Sequence, residues 1–176
     1  MSSLNKGFGK VEAQLKWDPS PLGAPDSDLD LIAATYRADD PRGEPAYLVH
    51  FDSRSPDGTI TLGRDSTTGN GLGFDEEMTL ELDRLSPVYG RVIVGVAIQQ
   101  RTGRMVFGDI ANPAVRIMEG YTRLMESDFA GLSACTAATV AEFTRADSGE
   151  WQFHVYLRGF DTDPVTFART MGGAAS

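Results

Sequence analysis

One cysteine, Cys135, and two histidines, His50 and His154, stand in a chain of 176 residues. A single thiol excludes an intrachain disulfide and every cysteine-based zinc framework. Two histidines without a fixed-spacing partner define no metal site of their own, and both are expected to be packed or surface residues within strands. Lysine is scarce too: three lysines and 13 arginines face 25 acidic residues, for a formal charge of −9. Nucleic acid is therefore not an expected partner, because phosphate binding needs a basic surface that releases counterions. No apolar run approaches the roughly 20 residues of a membrane span. Met1 to Lys10 holds no apolar stretch of the signal-peptide kind, and the expected location is the cytoplasm. Helical periodicity is also thin, which counts against an α/β unit.

What is present is enough to fold. Apolar residues make up 41% and charged residues 23% of the chain, and this length fits one domain over residues 1–176. The pattern reads as all-β, with candidate strands at Val11–Trp17, Leu29–Arg37, Ala46–Phe51, Met78–Leu82, Arg91–Gln99, Ala114–Met125, Thr136–Thr144 and Trp151–Phe160. Val92, Val94, Val96 and Ile98, with Ile93 and Ala97 on the other face, mark a central strand buried on both sides. Trp151, Phe153, Val155 and Leu157 alternate with polar residues, as in a half-exposed strand. The expected architecture is a two-sheet antiparallel β-sandwich, jelly-roll-like, with a short C-terminal helix over Val165–Met171 that has Asp163 as its N-cap, Pro164 as the first helical residue and Gly172 as its stop. The connection Ser53–Asp75 is the long irregular segment.

The charge is uneven. From Asp18 to Asp83 there are 15 acidic residues against Arg37, Arg42, Arg54 and Arg64, net −11, while the rest of the chain is net +2. These acids are interleaved with strand-like runs, so folding must bring carboxylates together, and a cation is expected among them. Asp26, Asp28 and Asp30 open a strand, where a period of two sends all three to one face. They form either a solvated strand end or one edge of a calcium site, since calcium takes six to eight oxygen ligands. The glycine-rich loop from Arg64 to Glu77 offers further side-chain oxygens at Asp65, Asn70, Asp75 and Glu76. Its 12-residue span from Asp65 to Glu76 is not an EF-hand: Thr67 and Asn70 occupy the third and sixth positions, and strands flank it. Gly69, Gly71 and Gly73 lack the lysine and helix of a phosphate-binding loop. Ser133 lacks a nucleophile elbow, and nothing selects a glycosidase pair from 25 acids, although Trp17 and Trp151 could stack on sugar.

Trp17-Asp18, the Asp26–Asp30 element, Asp57-Gly58, the loop from Asp65 to Glu77, Gly149-Glu150-Trp151-Gln152-Phe153 and Gly159 together resemble the TerD family of tellurium-resistance and stress proteins, from about Val11 to Met171. The resemblance implies a calcium-binding β-sandwich without catalysis, acting in resistance to tellurite and other stresses, with protein partners that include membrane-associated ones. Carried over residue by residue, Asp28 and Asp30 match the family's D-L-D pair, Asp26 the acid before it, Asp65 the opening of the loop, and Asp75 and Glu76 its closing acids. Phe51 and Asp52 stand where the family has two asparagines, which leaves Asp52 as the side-chain ligand there. Asn70 and Phe74 replace acids, so the implied site carries less charge than its relatives. The expectation is a non-enzymatic calcium-binding stress protein. The alternatives are a ligand- or protein-binding module whose acidic face meets a cationic partner, and a carbohydrate-active enzyme.

Overall fold

A computed structural model describes residues 8–64, 74–101 and 103–173, with the backbone alone at 64. Among these lie β1 (Lys10–Lys16), β2 (Leu29–Arg37), β3 (Tyr47–Val49), β4 (Ile60–Arg64), β5 (Glu76–Glu81), β6 (Tyr89–Ile98), β7 (Ala114–Glu119), β8 (Thr122–Ser127), β9 (Ala137–Arg145), β10 (Trp151–Phe160) and one helix, α1 (Pro164–Thr170). They form two five-stranded antiparallel sheets, ordered β4-β5-β1-β7-β8 and β10-β9-β6-β2-β3. The all-β sandwich with a short terminal helix is the architecture expected from the sequence.

Alternation accounts for the packing. In β6, Val92, Val94, Val96 and Ile98 enter the core between the sheets, while Ile93 and Ala97 join a second apolar cluster on the outer face with Phe167, Ala168 and Met171 from α1. Gly95 opens the seat for the helix: a Cβ there would lie 2.6 Å from the Phe167 ring. Asp163 caps α1, accepting the Thr166 N–H at 2.9 Å and the Thr166 hydroxyl at 2.7 Å.

Three expectations are corrected. The strand expected over Ala114–Met125 is a hairpin of β7 and β8, because Gly120 at φ 60° turns the chain. The irregular connection Ser53–Asp75 contains β4, which pairs with β5 through Ile60 and Leu62. In β10 a register shift between Val155 and Arg158 breaks the alternation. Val155 and Leu157 turn outward, 54% and 48% exposed, and Tyr156 packs against the outer cluster instead.

The cap gives a first prediction. Bonds from Thr166 hold the Asp163 carboxyl below the usual Asp value of 3.8. A depressed folded-state pKa contributes stability that is present above the unfolded value and lost as pH falls through the folded one. Asp163→Ala is expected to lower stability at neutral pH and to flatten part of its decline below about pH 4, read by urea unfolding across pH; unchanged curves would show that the cap contributes nothing.

Candidate metal centre

The antiparallel order gathers the end of β1, the start of β2, the end of β3, the start of β5 and the end of β6 at one end of the sandwich. The predicted acids lie on these ends. Asp28, Asp30, Asp75 and Glu76 are buried, 4%, 3%, 2% and 0% exposed. Charged carboxylates are seldom this buried without partners that hold them.

Each has a defined partner. β3 stops at Val49, opposite Ala33, so the Leu31 amide lies beyond its pairing. The Leu31 N–H donates instead to Glu76 Oε1, 2.8 Å away. Glu76 reaches it because alternation in β5 puts Glu76, Met78 and Leu80 on the buried face, so the carboxylate ties one sheet to the other. The Trp17 N–H donates to Asp75 Oδ2 at 2.9 Å, and Asp75 N–H donates to the Leu15 carbonyl at 2.9 Å. Across β2 and β6, pairing of Leu29 with Ile98 sets Asp28 beside residue 99: Gln99 N–H donates to the Asp28 carbonyl, its side chain donates to Asp30 Oδ2, and Arg101 forms an ion pair with Asp28 Oδ2.

Other predicted ligands sit differently. Asp26 is exposed, because β2 begins only at Leu29 and its alternation does not extend to residue 26. Asp52 is also exposed, in the turn after β3, where its N–H donates to His50 Nδ1 at 3.2 Å. Burial lowers the His50 pKa, against the opposing pull of Asp30 and Asp52. Asp65 and Asn70 lie outside the described residues. Among the described residues no three His, Cys, Asp or Glu side chains form a group that could hold a metal. Phe74, at a position where the resemblance implies an acid, lies against the Arg116 guanidinium, 4.4 Å from its ring centre.

The residues missed from sequence are Gln99, Arg101 and the amides of Trp17 and Leu31. Gln99 and Arg101 directly follow the most readable strand, but only the pairing of β2 with β6 brings them to the aspartates. Trp17 and Trp151 are core residues, 1% and 2% exposed, so neither presents a face to sugar. The Trp17 indole donates to the Ser27 carbonyl at 3.0 Å, which anchors the segment that carries Asp28.

A model of the TerD domain matches residues 1–170. The tellurium resistance protein TerD of Serratia marcescens is 28% identical over 168 residues, covering 91% of this chain and 85% of that protein. The crystal structure of SAV2460, a protein of unknown function, is 60% identical with a TM-score of 0.94, covering 97% of this chain and all of that one. SCO6318 of Streptomyces coelicolor A3(2), a homologue of telluride resistance protein TerD, is 56% identical with a TM-score of 0.94, covering 96% of this chain and all of that one. The chain belongs to the TerD domain family.

Proposed function

We propose that this is a cytoplasmic, non-enzymatic, calcium-binding protein that acts in resistance to tellurium and other chemical stress, through protein partners that include membrane-associated ones. The observation that carries the calcium reading is the burial of Asp28, Asp30, Asp75 and Glu76 at one end of the sandwich, where β5 and β2 begin. Arg101 and Gln99 hold Asp28 and Asp30, whereas the amides of Trp17 and Leu31 need only an acceptor, which a neutral Asn or Gln would supply; the carboxylate charges of Asp75 and Glu76 go beyond that requirement. Their donor atoms are all oxygens, as calcium prefers, whereas zinc would call for nitrogen or sulfur. No three of the described acids are grouped for an ion as they stand, so Asp28, Asp30, Asp75 and Glu76 would have to converge on it together with oxygen donors from the flanking segments, Asp26, Asp52, Asp65 and Asn70. A bound dication would supply two positive charges to a segment of net −11. The resistance role rests on family membership and on the name of the Serratia relative. No described helix is long and apolar enough to cross a membrane.

Calorimetric titration of chelator-stripped protein with calcium tests the reading. Asp28→Asn and Asp30→Asn are each expected to weaken binding about tenfold or more, because ligand charge sets calcium affinity and the amide keeps the size and one oxygen. Asp147→Asn, on an exposed turn at the opposite end, is expected to bind as wild type. Equal affinity in all four proteins would remove these aspartates from the ligand set.

A further inference from the structure

A groove of about 360 Å³ runs along the outer face of the second sheet, between the start of β2, the turn after β3 and α1. Its floor is apolar: Ile32 and Ala168 are buried, and Leu48 packs with them. Its lips carry two large exposed apolar side chains, Phe51 at 54% and Val165 at 70% exposure, on separate elements. Apolar side chains gathered about an open groove are characteristic of a surface that another molecule covers. Two exposed carboxylates, Asp52 and Asp163, edge the same groove, and Asp30 lies buried beneath it, bonded to Gln99. The one arginine on its lining, Arg169, is exposed and lies 3.9 Å from the exposed Glu44, so with Asp52 and Asp163 the rim remains net negative. An occupant must therefore combine apolar surface with positive charge. Anionic lipid headgroups and nucleic acid are disfavoured by this rim, and a second copy of a chain with net charge −9 is disfavoured by like-charge repulsion.

We propose that this groove docks a segment of a partner polypeptide that places a lysine or arginine against the Asp52 and Asp163 rim and flanking apolar side chains against Ile32, Leu48 and Ala168. The finite volume suits a few side chains, and the acidic rim provides the selection for charge. The groove shares Asp52 with the proposed calcium donors, so docking is stated for the calcium-free protein.

The probe is the peptide Ac-Leu-Lys-Leu-NH2, titrated into isotope-labelled full-length protein in chelator and followed by amide chemical shifts, so that failure leaves the calcium reading untouched. Shifts are expected at Ile32, Leu48, Phe51, Val165 and Ala168. Ac-Leu-Glu-Leu-NH2 and Ac-Ser-Lys-Ser-NH2 are each expected to bind about tenfold or more weakly, a difference of one decade in Kd. Phe51→Ser and Val165→Ser, at exposed positions that leave the core intact, are expected to weaken the lysine peptide about fivefold or more while the rest of the spectrum stays that of the folded protein. Equal binding of the three peptides, shifts confined to another surface, unchanged affinity in both serine variants, or no shift with any peptide would each overturn the proposal.

Discussion

Arg91→Met is expected to destabilise the fold by about 3–5 kcal/mol, the usual cost of removing one partner of a buried ion pair. The Arg91 side chain is 3% exposed and its Nε donates to Glu142 Oε2 at 2.7 Å. Its Nη1 donates to the carbonyls of Pro41, at 2.9 Å, and Gly172, at 2.5 Å. One side chain thus joins β6 and β9 to the turn after β2 and to the residues that follow α1. Its guanidinium also lies over the Tyr36 ring, 5.2 Å from the centre. Burial pushes the Tyr36 phenol up to about 12 despite that cation, so the ring is neutral at physiological pH. Without Arg91, the Glu142 carboxylate, 17% exposed, loses its cationic partner and has little water to replace it. For a chain of this length the loss corresponds to a fall of roughly 6–20 °C in melting temperature. Adding Glu142→Leu should restore part of it, because two apolar residues leave no stranded charge. Thermal and urea unfolding of the single and double variants measure both steps; a single-variant loss below about 1 kcal/mol would show that the pair contributes no more than a surface one.

Calcium is expected to produce the other large effect. An ion that binds the native and not the unfolded chain, present at 100 times its dissociation constant, adds about 2.7 kcal/mol. The melting temperature should then rise by roughly 5–11 °C between chelator and saturating calcium. Magnesium should give a much smaller rise, since it demands a tight octahedral shell and sheds water reluctantly. Superimposed melting curves in chelator and in millimolar calcium would contradict the proposed function.

How far the fold could be read in advance depended on where period-two patterning was continuous. Val92 to Ile98 and Leu29 to Arg37 carry long apolar runs, and their strands were legible. β4 was not, because Ile60 and Leu62 are its only large apolar residues in a segment rich in glycine and polar residues. Nor was the turn at Gly120, since the residues on both sides continue a strand-like pattern and only the backbone reversal separates them. In β10 the register shift turned a correct pattern into wrong orientations for Val155 and Leu157.

The candidate centre divides along the same line. Asp28, Asp30, Asp75 and Glu76 were visible as acids at the mouths of strands, and burial sets them apart from the exposed Asp26 and Asp52. Burial depends on which strands meet at that end, and sequence spacing does not carry this. The same pairing delivers Gln99 and Arg101 to the aspartates, so their place in the site followed only from the register of β2 against β6. His50 was expected to be a packed or surface residue, and it lies in the turn beside Asp52 and lines the groove under α1.

A crystal structure grown in millimolar calcium, with anomalous differences collected at long wavelength, tests calcium binding most directly. The expected result is an anomalous peak at this end of the sandwich, with carboxylate oxygens of Asp28, Asp30, Asp75 or Glu76 about 2.3–2.6 Å from it and six to eight oxygens around it. Arg101 is then expected to have moved away from Asp28, since the ion would take over part of its role as counter-charge. No anomalous peak at these carboxylates, with the Arg101 guanidinium still paired to Asp28, would contradict calcium binding and leave the buried acids as structural caps of the Trp17 and Leu31 amides.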